Sequence, residues 1–139
     1  MTTLQDSRRT GVDPDRHPLF SALVGLATLG ILLQGLWAGL FVHEGKEYED
    51  TWVHVHSIDG EVTIVLALLA TVVAFLKLRR SRPELLAGSA ALTVLLIVEA
   101  YIGGLIGDHS GLTAIHFPLA LALMGLAVWL PVRTLSRRA

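Results

Sequence analysis

The residues of this chain best suited to chemistry are its histidines. The 139 residues include six His and no Cys, which excludes disulfides, thiolate metal sites, thiol catalysis and covalent haem attachment through C-x-x-C-H. Any metal centre must therefore depend on imidazole and carboxylate ligands. Only His17 precedes the first apolar run. The other five histidines lie at or near those ends of the apolar runs that are away from His17: His43, His54, His56, His109 and His116.

Glu99 is the one charged residue in the apolar run from Leu85 to Gly107. By helix rise it lies about 10 Å from the far end of that run, where a buried charge is costly and an ionisable side chain indicates a functional site by default. Three roles are open: a hydrogen bond to a metal-binding histidine, a protonation coupled to redox change of the metal, or a structural hydrogen bond to Gln34.

The composition places these residues in a membrane. Hydrophobic residues make up 53% of the chain and charged residues 17%, with a mean hydropathy of +0.60, which is too apolar for a soluble domain of this length. Four spans of about 20 residues each would account for most of the chain. The net charge of −1 and the lack of a basic stripe with interleaved aromatics argue against nucleic acid as a partner.

Three runs are long enough to span a bilayer: Pro18 to Val42, Leu85 to Gly107 and Gly111 to Val132. The remaining run, Val62 to Leu76, is shorter than the roughly 17 residues a span needs. We therefore expect its helix to extend upstream to about Thr51. The extension brings polar residues into or beside the membrane, namely Trp52, His54, His56, Asp59 and Glu61.

Ten of the eleven Lys and Arg residues lie on one side of these spans, which predicts that both termini are cytoplasmic. The loop from Glu44 to Thr51 and the turn from Asp108 to Ser110 are expected outside. Short loops favour an all-α up-down-up-down bundle over residues 18–132, with cytoplasmic tails at 1–17 and 133–139.

His56 and His116 are predicted to face the interior of the bundle. Small residues mark the side of a membrane helix that contacts other helices. They follow His56 at helical spacing (Gly60, Thr63, Ala67, Ala70 and Ala74) and follow His116 in the same way (Ala120 and Ala127). The second and fourth helices run parallel and diagonal in such a bundle, so the two imidazoles suit the two axial positions of one haem iron. Taken singly, each His is better explained as an interfacial side chain bonded to water, a lipid headgroup or a neighbouring carboxylate, and only the pair favours haem ligation.

Spans one and three share a weak repeat, a polar residue followed five positions later by Gly-Leu. The repeat indicates two related hairpins around one cofactor. Its members, together with an additional glycine, are the expected pocket lining: Gln34, Gly39, Glu99, Gly103 and Gly104. Simple helix packing also accounts for the glycines.

A second metal site in the outer loops would need His43, His54 and His109, with Glu44, Asp50, Asp59 and Asp108 as oxygen donors. Because His-x-His is a weak signal and polar loops are generally solvated, these residues are expected to be exposed to water instead.

Residues 25–132 resemble one half of a haem A synthase, which is a four-helix bundle with a His on its second and fourth helices. The resemblance rests on three segments: Trp52-Val53-His54-Val55-His56, Glu99-Ala100-Tyr101-Ile102-Gly103 and Ile115-His116-Phe117. It implies His56 and His116 as haem ligands. The chain is also similar to small bacterial four-helix membrane proteins, which implies the bacterial plasma membrane.

The synthases carry a Glu three residues before the second-helix His and commonly an Arg after it, where this chain has Val53 and Ser57. The outer-loop cysteines of many members are absent too. Synthase activity is therefore not expected.

The sequence predicts a membrane protein that binds one haem b through His56 and His116 and acts in electron transfer or haem sensing and handling. Lipid and a redox partner or larger membrane complex are the expected partners, and a homo-oligomer is left open. Three alternatives remain: a cofactor-free structural or assembly subunit, a haem-modifying or quinone-linked oxidoreductase, and a metal transporter.

Overall fold

A computed structural model describes residues 17–44 and 46–135, and the side chains of residues 17–42 and 51–135. The described residues form four long helices and no strand, which confirms the predicted all-α fold. A π-helical turn, Ala74–Leu78, continues the second helix, and a 3₁₀ turn, Ser110–Leu112, precedes the fourth. The long helices are α1 (Pro18–Glu44), α2 (Lys46–Val73), α3 (Pro83–Leu105) and α4 (Thr113–Leu135).

All four helices are long and apolar enough to cross a membrane. The candidate span of the short second run begins at Thr51, the residue predicted from the length of that run. The chain is therefore a multi-pass membrane protein by the length and composition of its helices. The candidate spans are Pro18–Val42, Thr51–Leu78, Pro83–Leu105 and Ser110–Leu135.

The predicted loop from Glu44 to Thr51 is wrong. Helix α1 ends at Glu44 and α2 already begins at Lys46. The segment from Lys46 to Thr51 contains no Gly or Pro that would break a helix, and its Lys and Glu residues are good helix formers. Polarity therefore does not end the helix here. Residues 1–16 and 136–139 of the predicted tails lie outside the described residues, and α4 continues to Leu135.

Each helix packs mainly against two others: α1 and α3 both contact α2 and α4. Helices α2 and α4 therefore lie diagonally across the bundle, as predicted. The two interfaces between the α1–α2 and α3–α4 hairpins each contain a threonine contact. The Thr28 hydroxyl donates to the carbonyl oxygen of Ala127 (2.9 Å), and the hydroxyls of Thr71 and Thr93 lie 3.0 Å apart.

The packed core occupies only one end of the bundle. The last buried residues toward the other end are Ile31 on α1, Thr63 on α2, Glu99 on α3 and Leu123 on α4. No described side chain within residues 32–62 or 100–122 is buried. We call these two ranges the outer half and the remaining described residues the inner half. The buried stripe of α2, Thr63, Ala67, Ala70 and Ala74, confirms the face predicted from His56.

Arg82 fixes the inner end of the bundle. Its side chain is buried in the turn between α2 and α3, where Nε donates to Glu84 Oε1 (2.7 Å) and a terminal nitrogen donates to the Arg133 carbonyl oxygen (2.8 Å). These contacts tie the turn to the end of α4. A buried guanidinium that is paired in this way holds its neighbours in one geometry.

Candidate functional site

His56 lies on α2 in the outer half, where α1 holds its ring. The ring Nδ1 is 3.2 Å from the carbonyl oxygen of Gln34. A carbonyl oxygen only accepts, so this contact assigns the ring proton to Nδ1 and leaves the lone pair on Nε2. Phe41 packs edge-on against the same ring at a centroid distance of 5.7 Å. The ring orientation and its tautomer are thus both set by α1.

Gln34 forms two further contacts with α2. Its amide nitrogen donates to the His56 carbonyl oxygen (2.8 Å) and to Asp59 Oδ2 (2.7 Å). Gln34 therefore joins α1 to α2 through the ring of His56, the backbone of His56 and the side chain of Asp59. The role of Asp59 was missed from the sequence, which grouped it with loop carboxylates. Its position three residues after His56, inside the upstream extension of the span, is the signal that would have indicated a site residue.

His116 lies on α4 beside Glu99 of α3. The ring Nδ1 is 3.0 Å from Glu99 Oε1. The contact does not have the angle of a formed hydrogen bond, so His116 Nδ1 and both Glu99 oxygens are buried without a hydrogen-bond partner. Contacts of this kind are often misaligned before a ligand binds. Of the three roles open to Glu99, its position corresponds to the contact with a histidine and not to a bond with Gln34.

Gly103 makes room for the His116 ring. A Cβ at this position would lie 3.1 Å from His116 Cε1, which is closer than ordinary van der Waals contact. The space beside Gly103 is therefore occupied by the imidazole of the neighbouring helix. The ring of Phe117 contacts the same imidazole, with the two ring planes tilted and the ring centroids 5.9 Å apart.

The two histidines occupy equivalent places in two hairpins. In each hairpin the first helix presents an oxygen to Nδ1 of the histidine on the second helix: the Gln34 backbone carbonyl for His56, and the Glu99 carboxylate for His116. The contact at Nδ1 of His56 leaves its Nε2 available as a ligand, and an oxygen beside Nδ1 is the usual second contact of a metal-binding histidine.

In the outer half, the faces of α1 and α3 that contact the other hairpin carry small residues, and we call the region between these faces the slot. Gly35 and Gly39 lie seven and eleven residues after Thr28, on the α1 face that contacts α4. Ala100 and Gly104 have the same spacing from Thr93 on the α3 face that contacts α2. All four are exposed. The helix faces that make the threonine contacts thus carry small, exposed residues about two and three turns further out.

The predicted site residues divide into two groups. Gln34, His56, Glu99, Gly103 and His116 form the two histidine contacts described above. Gly39 and Gly104 contact neither histidine, and a Cβ at either position would meet no atom within 4 Å. These two glycines border the slot.

An aromatic pair lies about one turn further out on the α1–α2 hairpin. Trp37 and Trp52 stack with ring centroids 5.6 Å apart and planes 7° from parallel. Trp37 is three residues beyond Gln34, and Trp52 is four residues before His56. The Trp37 indole nitrogen is buried without a hydrogen-bond partner. The pair covers the His56 contact from the outer end.

The residues considered for a second metal site do not come together. His54, Asp108 and His109 are exposed, and Asp59 is bonded to Gln34. The side chains of His43, Glu44 and Asp50 lie outside the described residues. Among the side chains that the structure describes, those of residues 17–42 and 51–135, no group of three or more His, Asp or Glu could hold a metal ion. A haem needs only two protein ligands, so this finding does not bear on an axial pair.

No protein-family model, curated protein or solved structure matches this chain.

Proposed function

We propose that the protein binds one haem b in the outer half of the membrane, with Nε2 of His56 and Nε2 of His116 as the axial ligands. One observation carries the proposal: two imidazoles on diagonal helices each have an oxygen of the preceding helix within about 3 Å of Nδ1, beside small, exposed residues on the facing hairpins. Acceptors at Nδ1 orient the rings and raise the basicity of Nε2.

The residues present fit a flat macrocycle. Gly35, Gly39, Ala100 and Gly104 leave the two inter-hairpin interfaces open, so the edges of the ring have room where larger side chains would collide. The unpaired Trp37 nitrogen is a donor available to a polar group of the ligand. Glu99 positions His116, and Gln34 positions His56.

A bound haem with two protein ligands would supply a one-electron couple, which suits electron transfer or haem sensing and handling better than oxygen activation. The protein residues would hold the iron, orient both imidazoles and exclude water from the inner side through the packed core. The proposal includes the bacterial plasma membrane with both termini cytoplasmic, as the distribution of Lys and Arg predicts.

The test is a reduced-minus-oxidised absorption spectrum of the purified protein. We expect a low-spin haem band, one haem per chain, and an extracted pigment that is haem b. A colourless, metal-free protein that co-purifies with a larger membrane complex would contradict the proposal and favour a cofactor-free subunit. Zinc or copper without haem would favour the metal transporter.

Filling the slot should remove haem without disturbing the fold. Gly104→Leu adds a side chain where no atom lies within 4 Å, so we expect helicity and thermal stability to be unchanged. Haem per chain should fall about tenfold or more, since overlap with a close-packed ligand is strongly unfavourable. Haem content and far-UV circular dichroism measure the two effects.

Gly25→Leu is the matched control, because Gly25 is exposed on the inner half of α1 and also has no atom within 4 Å. It should keep full haem content. If Gly104→Leu keeps its haem as well, the ring does not lie in this slot.

A further inference from the structure

A pocket lies at the opposite end of the molecule from His56 and His116. Its volume is about 280 Å³, and it is lined by Leu76, Lys77, Arg79 and Arg80. All four side chains are exposed. The proposed haem site has no role for these residues, which follow the last turns of α2.

The three cations of this pocket have no acidic partner among the described residues. Arg82 and Arg133 both lie within 4 Å of Glu84, whereas Lys77, Arg79 and Arg80 are in no such ion pair. The Arg79 guanidinium instead lies 5.0 Å over the ring of Phe75, a cation–π contact that holds it in place. The pocket thus offers up to three positive charges to a ligand.

Two backbone features set the position of these charges. The candidate membrane span of α2 ends at Leu78, so Lys77, Arg79 and Arg80 lie at the end of the span, where lipid phosphates are expected. The last turn of the span, Ala74–Leu78, is π-helical. Single π-helical turns are rare and frequently occur at functional sites, because the wider turn changes the direction of the residues that follow.

The helix surface beside the pocket, on the side toward the membrane span, is apolar. Leu76 is 65% exposed and Phe75 is 50% exposed. A ligand that fills the pocket therefore meets cations at one end and hydrocarbon at the other. A free phosphate ion would use only the cations, whereas a phospholipid would use both.

We propose that this pocket binds the phosphate headgroup of an anionic phospholipid. The cationic nitrogens of Lys77 and Arg80 bind the phosphate, Arg79 is oriented toward it by Phe75, and one acyl chain lies against Leu76. Basic pockets at the ends of membrane helices recognise anionic headgroups in this way, with about 1 kcal/mol for each Lys or Arg. The site is independent of the haem.

The experiment measures phospholipid binding to the full-length protein in detergent by native mass spectrometry. The probe is dioleoyl phosphatidylglycerol, compared with dioleoyl phosphatidylcholine and with inorganic phosphate. We expect phosphatidylglycerol to bind at least tenfold more tightly than phosphatidylcholine and millimolar phosphate not to displace it. Arg80→Gln should weaken binding about fivefold, and Lys77→Gln with Arg80→Gln more than tenfold.

Arg133→Gln is the matched control, since it removes a cation at the same end of the bundle that already lies near Glu84. It should change the Kd less than twofold. Circular dichroism and haem content check that each variant is folded. If Arg80→Gln and Arg133→Gln weaken phosphatidylglycerol binding equally, the lipid is attracted by overall charge and the proposed site is wrong. Equal binding of phosphatidylcholine and phosphatidylglycerol would also contradict it. If inorganic phosphate displaces phosphatidylglycerol, the pocket binds anions without using the acyl chain, and the proposed phospholipid site is wrong.

Discussion

His56→Ala and His116→Ala are each expected to abolish the low-spin haem spectrum of the purified protein. Each substitution removes one axial nitrogen, and six-coordinate low-spin iron requires both. Neither imidazole belongs to the packed core, because buried side chains end at Thr63 on α2 and at Leu123 on α4. The variants should therefore keep the helical fold while their visible spectra change completely.

His54→Ala and His109→Ala are the matched controls. Both histidines are exposed in the same part of the chain and neither forms an interhelical contact with Gln34 or Glu99. Their spectra should equal that of the unmodified protein. Adding free imidazole to His56→Gly or His116→Gly should restore a low-spin band, since the small ligand can occupy the vacated position. Retention of the original band in either alanine variant would refute the ligand assignment.

Gly30→Val is expected to give the largest loss of stability. A Cβ at Gly30 would overlap the hydroxyl of Thr63, which is 1% exposed, and would lie 3.3 Å from Thr63 Cβ, which rotation of the side chain does not move away. Overpacking of a dense core costs about 1–3 kcal/mol for small insertions, and the second and third carbons of Val add to that. We expect a loss of more than about 3 kcal/mol in the free energy of unfolding.

Gly25→Val controls for helix propensity, because Gly25 is on the same helix with nothing within 4 Å of its Cβ position. Thermal unfolding in detergent, followed by far-UV circular dichroism, should show little change for this control. Adding Thr63→Ala to Gly30→Val should recover part of the loss. Equal stability of Gly30→Val and Gly25→Val would mean that α1 and α2 do not approach as closely as described.

The spans were predictable because bilayer thickness imposes a length that apolar runs must meet. The shortfall of Val62 to Leu76 was informative for the same reason, and the helix does extend upstream through Thr51. The inward stripe after His56 followed from helical periodicity alone. Where α2 starts was not predictable from polarity, because the helix begins at Lys46, upstream of the candidate span that starts at Thr51.

The histidine contacts were only partly predictable. Helical periodicity predicted that His56 and His116 face the neighbouring helices. The atom that contacts each ring depends on how the neighbouring helix is rotated, and this rotation cannot be deduced from a single sequence. Asp59 was therefore assigned to the wrong environment, although it bonds to Gln34. The burial of Arg82 also depends on tertiary contacts with Glu84 and Arg133. That haem binds here remains a prediction.

The uneven core gives the bundle two regions of different local stability. Amides of the inner half should exchange hydrogen slowly, near the rate set by global unfolding, whereas the outer half should open in smaller and more frequent events. The hairpins would then remain joined at Thr28 and Thr71 while their outer ends separate. If the proposed haem binds here, an apoprotein built in this way would admit the rigid ring after insertion and folding, and loading of the haem would not need to coincide with synthesis of the chain.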